Sequence, residues 1–385
     1  MRAFTKKIIM ILASCMALIG LVGGCSFTKE DLKPSKPTVK ELQNSAMAPA
    51  NKVDAILNAM TDEEKVGQLL IFGIHGTEMN ADSTFMVQAF KPGGVILFDR
   101  NMVDKNQVQQ LIKGLKQVNG NSGDFPLFVA IDQEGGCVSR MQDGLIKVPE
   151  AAQLGEQPVN VAVDYAQKAG SELSALGFNL NFAPDADLGL ACGRSFGTDP
   201  MKVVTYAGAV GTAYYRSGLL FSYKHFPGIG KTDSDLHEDS SVISIDKAKL
   251  EAEDIRVFQS LIGTTVPNRY MIMVSHANYS ALDPNKPASL SKPIITDLLR
   301  KQLGFNGVVV TDDLEMGALS NHYTFGDMAV ESILAGSDIL LVCHEYDHMK
   351  AAYEGLLEAV KSGKISKDRL NDSIRRILLM KQGMK

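Results

Sequence analysis

Cysteine is scarce in this sequence, and neither sign of charge is in strong excess. The 385 residues include five cysteines, and the formal net charge is −5 with 22% charged residues. No basic stripe interleaved with aromatic residues occurs, so we do not expect the chain to bind nucleic acid. The hydrophobic content of 45% is that of an ordinary globular protein, long enough for one large domain or two small ones.

The few cysteines also exclude a disulfide-based scaffold. Two of them, Cys15 and Cys25, fall in the N-terminal apolar region, which leaves Cys137, Cys192 and Cys343 in the globular part. Three cysteines permit at most one disulfide among themselves. The fold must therefore depend on a hydrophobic core.

Long hydrophobic runs are missing except at the N-terminus. There the basic stretch MRAFTKK precedes IIMILASCMALIGLVGG, which is too short and too one-sided to predict a membrane span. The run ends in LVGGC, which resembles the lipobox of bacterial lipoproteins, with Cys25 as the lipidated residue. LASC at Cys15 fits less well because a shorter apolar stretch precedes it, and a plain secretory signal is the alternative.

The N-terminal pattern sets three boundaries. We predict a lipoprotein signal peptide over 1–24, a flexible tether rich in Lys, Ser and Pro over 25–50, and a catalytic domain over 51–385. The protein is then expected at the extracytoplasmic face of the cell membrane, in the cell envelope, held there by its lipid.

Short apolar runs alternate with amphipathic stretches from about residue 60 onward. The runs are QLLIFGI, GGVILF, LFVAID, FNLNFAP, LLFSYKHF, YMIMVSH, GVVVTDD and DILLVCH. They are too apolar to alternate between two faces, which is typical of parallel strands buried on both sides. Eight such βα units in under 300 residues predict a single α/β domain, a (β/α)8 TIM-type barrel.

The rival is a doubly wound open sheet, but no Gly-rich dinucleotide fingerprint follows the first strand. Thr61 to Glu64 fits a capping box at the start of a helix. After the eighth run, two helical patterns complete the outer ring and leave no second domain.

Titratable groups follow five consecutive predicted strands. They are Asp132 and Arg140; Asp185, Asp187 and Arg194; Lys224 and His225; His276; and Asp312 with Asp313. Barrel enzymes carry their chemistry at the carboxyl ends of the strands, and ionisable groups are costly beside a buried sheet unless they are used. This pattern predicts an active site there.

An ordered set of motifs in this region resembles glycoside hydrolase family 3, and within it the bacterial β-N-acetylglucosaminidases. The set reads GGVILF, DQEGGxVxR, NFAPxxD, RSFGxDP, KHFPGxG, Asp-x-His and GFNGVVVTDDLEM, and it spans roughly residues 55–383. The resemblance implies that Asp312 is the catalytic nucleophile, His237 the general acid/base and Asp235 the partner of His237. It also implies a set of residues that bind the hydroxyls of the terminal sugar: Asp132, Arg140, Arg194, Lys224 and His225.

Elementary chemistry agrees with these roles. A retaining glycosidase needs a nucleophilic carboxylate on one face of the anomeric carbon and a proton donor on the other. Imidazole titrates near neutral pH, and an aspartate two residues earlier could fix the tautomer of His237.

The chain departs from the family pattern in three places. Ile229 and Leu236 replace the residues usual in KHFPGHG and DSH, and Cys137 stands where relatives often have Arg. We expect the chemistry to survive, since neither replacement in the loop removes a proton-transfer residue. Cys137 and Cys192 follow neighbouring strands, so a disulfide across the rim is one arrangement that the sequence leaves open.

Several other signals carry less weight. HEYDH, residues 344–348, matches a zinc motif, but His344 directly follows a strand, whereas the motif works only on a helix. Asp313 is expected to point away from the sugar, because adjacent strand residues face opposite sides. We expect Glu134 and Asp185 to hold loops and basic residues, and His276 either lines the pocket or caps the rim.

Together these observations predict a monomeric, lipid-anchored retaining exo-β-N-acetylglucosaminidase that uses no metal or organic cofactor. Its expected substrate is terminal β-linked GlcNAc in peptidoglycan fragments, an amino-sugar glycan or muropeptide. Two alternatives remain. One is a phosphorylase, because a neutral His donor would not repel phosphate, and the other is a non-catalytic muropeptide-binding lipoprotein.

Overall fold

Eight short parallel strands form the centre of the computed structural model, which describes residues 39–122, 125–141, 144–231 and 240–384. Numbered β1 to β8 in chain order, they are Leu70–Gly73, Gly94–Ile96, Phe128–Ile131, Leu180–Asn181, Leu220–Phe226, Tyr270–Val274, Val308–Asp313 and Ile339–Val342. Each pairs with the next, and β1 closes the ring on β8, where Ile71 lies beside Leu341. The predicted barrel is confirmed.

Burial explains why the strand sequences do not alternate. Every residue of β1, β3, β5 and β8 is buried. One face of each strand fills the barrel interior and the other packs beneath the helices, so both must be apolar or internally paired.

Helices surround the ring. Their bounds are Val39–Gln43, Pro49–Ala59, Asp62–Gln68, Ala81–Phe90, Lys105–Ser122, Ala151–Gly155, Val159–Leu176, Pro200–Arg216, Lys247–Leu250, Arg256–Thr264, Gly317–Ser320, Phe325–Ala335, Tyr346–Lys361 and Lys367–Gln382, with π-helical Glu251–Ile255 and Pro293–Gln302 and short 3₁₀ turns Asp99–Asn101 and Ala288–Leu290. The capping box is confirmed, since Thr61 accepts from the Glu64 N–H and the Glu64 carboxylate accepts from the Thr61 N–H. The two predicted C-terminal helices are present.

The folded unit begins earlier than predicted. Residues 39–43, placed in the tether, form a helix in which Val39 and Leu42 are buried. This helix packs on Pro49–Ala59, which in turn packs on Lys367–Gln382, so it is connected to the C-terminal helix through Pro49–Ala59. The surrounding Lys, Ser and Pro composition concealed this short pattern.

The predicted signal peptide and Cys25 lie outside the described residues. Within the described ranges, every helix is too short or too polar to cross a bilayer.

Two small sheets lie in the loops at the carboxyl end of the barrel. A hairpin of Gln133–Gly135 and Val138–Ser139 follows β3. A second sheet joins Val242–Ile243, Asn278–Tyr279 and Asp283–Pro287, which lie in the connections after β5 and β6. The two sheets give regular structure to the loops in which the charged residues after these strands lie.

Candidate active site

Lys224 lies at the centre of the charged group, near the end of β5. Its Nζ is 2.8 Å from Asp132 Oδ1 and 2.7 Å from Glu134 Oε1, and its side chain is only 3% exposed. Burial would lower the pKa of Lys224, but the charges of Asp132 and Glu134 outweigh it and raise that pKa. The lysine therefore stays protonated and joins two acidic side chains from the β3 loop.

Glu134 connects this lysine to the loop after β4. Arg194 donates to it through Nε and Nη2, both at 2.9 Å, in a bidentate pair. Burial would raise the pKa of Glu134, but Lys224 and then Arg194 hold it well below its usual range. On the other side of Asp132, Arg140 Nη2 lies 3.7 Å from the Asp132 Oδ2 atom.

His225 is fixed by a single buried carboxylate, Asp187. Its Nδ1 donates to Asp187 Oδ2 at 2.8 Å and its backbone N–H donates to the same oxygen at 3.1 Å. The other oxygen, Oδ1, accepts from the Ile229 N–H at 2.8 Å. Burial would lower the pKa of His225, but the charge of Asp187, its hydrogen bond to the ring and the nearby carboxylates of Asp185 and Asp312 together raise that pKa. The ring is thereby oriented with Nε2 facing β7.

Asp312 faces that Nε2 atom from the end of β7. Its Oδ2 lies 3.9 Å from His225 Nε2, and its Oδ1 accepts from the Asp313 N–H at 2.9 Å. Burial would raise the pKa of Asp312, but the charge of His225, reinforced by the hydrogen bond from the Asp313 N–H and by further nearby groups, outweighs burial, so the pKa is lowered. With 18% of its side chain exposed, Asp312 is an ionised carboxylate on a rigid strand that a ligand can reach.

His276 supports the same strand end from behind and is fully buried. Its Nε2 donates to the carbonyl of Asp313 at 2.9 Å, and its Nδ1 accepts from the Ser289 hydroxyl at 2.8 Å. Burial lowers the pKa of His276, which fits a neutral ring in this tautomer. Of the two expectations for this residue, the structure favours a supporting role at the rim.

Asp185 differs from the other carboxylates of the site because no described residue donates a hydrogen bond to it. Arg194 Nε lies 3.1 Å from Asp185 Oδ2, but neither Asp185 oxygen accepts a hydrogen bond from a described residue. Burial, reinforced by the charge of Glu134, raises the pKa of Asp185 to about 7. The expectation that Glu134 holds basic residues is confirmed, whereas Asp185 only adjoins one.

Two clusters bring carboxylate and imidazole ligand atoms within 4.8 Å of one another, Asp185 with Asp187 and His225, and Asp313 with Glu315 and His344. In the first, the Asp187 oxygens and His225 Nδ1 are already engaged in hydrogen bonds. Both clusters offer carboxylate oxygens and imidazole nitrogens, which are atoms that divalent cations bind. In this structure, most of these atoms form hydrogen bonds or ion pairs with neighbouring side chains and backbone N–H groups.

The histidines of HEYDH bind carboxylates rather than sharing a helix face. His344 lies between β8 and the helix Tyr346–Lys361, as its position after a strand predicted. Its Nε2 is 3.0 Å from Asp313 Oδ2, while His348 Nδ1 donates to Glu315 Oε1 at 2.6 Å. Asp313 thus points toward β8 and away from His225, in agreement with the expectation that it differs from Asp312 in direction.

Residues 61–380 match the family described as Glycosyl hydrolase family 3 N terminal domain. The chain belongs to glycosyl hydrolase family 3. It is 34% identical over 308 residues to a β-hexosaminidase of Pasteurella multocida, covering 77% of this chain and 84% of that relative.

Solved structures of family 3 enzymes are also similar. A β-N-acetylglucosaminidase from Paenibacillus sp. FPU-7 is 38% identical with a TM-score of 0.81, covering 84% of this chain and 63% of that chain. The present chain therefore spans less than two thirds of the Paenibacillus protein. A β-N-acetylhexosaminidase from Beutenbergia cavernae is 30% identical with a TM-score of 0.77, covering 84% of this chain and 99% of that one.

In this family 3 member, the fold brings six of the predicted site residues together: Asp132, Arg140, Arg194, Lys224, His225 and Asp312. Asp235 and His237 lie outside the described residues, as does Leu236. Ile229 is buried, and it meets Asp187 through its backbone N–H, which any residue except proline would supply at that position.

Sequence reasoning assigned no role to Asp187 or Glu315. The signal for Asp187 was its position two residues after Asp185 at a strand end, since both carboxylates of such a pair face one side of an extended chain. For Glu315 no local signal existed, because its partners in HEYDH lie about thirty residues further along the chain.

Proposed function

We propose that this chain is a retaining exo-β-N-acetylglucosaminidase that forms its glycosyl-enzyme on Asp312. The observation that supports this most is the environment of Asp312, an ionised and partly exposed carboxylate aimed by β7 at the mouth of the barrel. Retaining glycosidases need such a nucleophile to attack the anomeric carbon. The related proteins named β-hexosaminidase and β-N-acetylglucosaminidase support GlcNAc as the sugar.

The remaining charged residues suit the sugar hydroxyls. Asp132 can accept from two of them. Lys224 uses two of its three N–H bonds on Asp132 and Glu134, which leaves a third donor for a hydroxyl. Arg194 and Arg140 are held in place by carboxylates, so binding a sugar costs little further ordering of their side chains.

The proton donor in this proposal is His237, with Asp235 fixing its tautomer. The described flanks of that segment support it. Ile229 is tied to Asp187, Lys231 lies 2.5 Å from Asp254 Oδ2, and Val242–Ile243 pairs with Asn278–Tyr279. The connection that carries His237 thus leaves and rejoins the frame at the carboxyl end of the barrel, where the leaving group must be protonated.

The physiological substrate in this proposal is terminal β-linked GlcNAc on peptidoglycan fragments. The support is the lipobox-like LVGGC with Cys25, which would place a monomeric enzyme on the outer side of the cell membrane beside that polymer. Covalent catalysis by Asp312 and His237 requires no metal or organic cofactor.

The first experiment measures release of a fluorescent phenol from its β-GlcNAc and β-glucose glycosides by the purified full chain, with and without inorganic phosphate. We expect turnover of the GlcNAc compound that is lost in Asp312→Asn and is unaffected by phosphate. Phosphate-dependent formation of a sugar 1-phosphate would instead establish the phosphorylase. Sugar binding without turnover would establish a binding lipoprotein.

The same substrates with a series of phenols test His237. His237→Ala should reduce turnover of poor leaving groups by about 100-fold or more and that of strongly acidic phenols far less, because acidic phenols depart without protonation. An equal loss across the series would show that His237 has a structural role only.

A further inference from the structure

Two exposed cysteines contact each other on the loops that follow β3 and β4. Cys137 lies in the turn of the hairpin after β3, and Cys192 lies in the loop after β4. Cys137 Sγ donates to the carbonyl of Cys192 at 3.4 Å. Burial, and then a hydrogen bond with the Cys192 thiol, raise the pKa of the Cys137 thiol. The Cys137 sulfur therefore lies against Cys192 in the folded protein.

The backbone holds these turns together without help from the cysteines. Gly136 and Gly193, which adjoin the two cysteines, have φ values of 54° and 64° and both pack against Glu150. A Cβ on either glycine would approach Glu150 within 2.6 Å, so the three residues form a close stack. The Ala152 N–H also donates to the Gly193 carbonyl at 2.9 Å.

The same two loops carry the bidentate pair of the active site. Glu134 belongs to the hairpin that contains Cys137, and Arg194 lies two residues after Cys192. A covalent bond between the turns would therefore fix Arg194 relative to Glu134 and Lys224.

We propose that Cys137 and Cys192 are an oxidation site at which a reversible disulfide forms across the rim of the active site. The two thiols lose two protons and two electrons, and an S–S bond forms between them. A small-molecule disulfide such as oxidised glutathione takes up the two protons and the two electrons and becomes two thiols. The bond closes a chain loop of about 55 residues, which restricts the unfolded state and stabilises the folded one.

The test treats the purified full chain with oxidised glutathione or with a reductant and maps its peptides by mass spectrometry without reduction. We expect a peptide pair joined through Cys137 and Cys192 that is two hydrogen atoms lighter than the separate peptides. The oxidised protein should melt about 5 °C higher than the reduced one. Reductant should reverse both changes.

Matched variants make the result specific. Cys137→Ser and Cys192→Ser should each abolish the oxidant-dependent rise in melting temperature, whereas Cys343→Ala, at a buried thiol, should retain it. Separate glutathione adducts on the two cysteines would overturn the proposal. A linked peptide without a rise in melting temperature would overturn it too, because the native fold would then not accommodate the bond.

Discussion

The two ends of the barrel each hold a buried cluster of charge, and the clusters are built differently. At the amino end, Asp338 precedes β8 and is surrounded by three guanidinium groups. Its oxygens lie 2.6 Å from Arg300 Nη2, 3.1 Å from Arg376 Nη2 and 3.8 Å from Arg369 Nη1. They also accept from the Ser373 hydroxyl and the Val309 N–H. Burial would raise the pKa of Asp338, but Arg300 and the other guanidiniums lower it to about 2.

The carboxyl end has a different balance, because five carboxylates lie among four basic side chains: Asp132, Glu134, Asp185, Asp187 and Asp312 among Arg140, Arg194, Lys224 and His225. Asp185 lacks a hydrogen bond from the described residues, and Asp312 keeps part of its surface open. A fully satisfied network rigidifies its surroundings, whereas groups left partly satisfied are available to a ligand. The comparison shows that burial of charge alone does not mark an active site. Incomplete pairing beside an opening is the more specific sign.

The largest expected effect separates catalysis from stability. Under the proposed mechanism, Asp312→Asn should lower kcat by at least about 1,000-fold, because an amide cannot act as the nucleophile that forms the glycosyl-enzyme. Its melting temperature should stay close to that of the wild type. Asp313→Asn is the matched control and should cost about tenfold or less in kcat, and an equal loss in both variants would contradict the assignment. Steady-state kinetics and thermal melts measure the two quantities.

Asp338→Asn should show the reverse pattern. Removing the carboxylate takes away the main counter-charge of three neighbouring guanidinium groups, so the free energy of unfolding should fall by about 3–5 kcal/mol. The activity per folded molecule should remain unchanged. Asp297→Asn, which removes an exposed i,i+4 ion pair with Lys301, should cost about 0.5 kcal/mol or less in denaturant unfolding. Similar losses in the two variants would refute the stabilising role of the cluster.

The smallest effect concerns the pH dependence of stability. The pKa of Asp185 is about 7 in the folded state, against an ordinary value of 3.8. Between these two pH values, the folded state therefore binds a proton that the unfolded state has lost. Stability supplied at this site is therefore lost as pH rises from about 4 to 7. Asp185→Asn removes the group that titrates. The free energy of unfolding of the variant minus that of the wild type should therefore be about 1–3 kcal/mol larger at pH 8 than at pH 5. Denaturant unfolding at both pH values checks this, and parallel curves would show that Asp185 does not titrate there.

The barrel could be predicted from the sequence because its strands are buried on both faces, which produces eight apolar runs that periodicity detects. Asp132, Lys224 and Asp312 could be predicted to lie at one end of the barrel because they stand at the carboxyl ends of such runs. The partnership of Asp338 with Arg300 and Arg376 was not found, because it joins residues 38 positions apart through the packing of helices. The pairing of His225 with Asp187 likewise depends on the register of β4 against β5. Residues 39–43 were missed because two apolar side chains in a polar segment carry too weak a pattern.

Closure of the ring has a consequence for synthesis of the chain. Strand β1 hydrogen-bonds to β8, and Ile71 and Leu341 are therefore neighbours in space although they lie far apart in the chain. One edge of β1 therefore stays without its partner until the ribosome has synthesised the chain as far as residue 342, however early the other strands and helices form. A nascent chain of this protein has to keep that edge from pairing with other chains during translation. A truncation before β8 should consequently yield an aggregating fragment rather than a smaller enzyme.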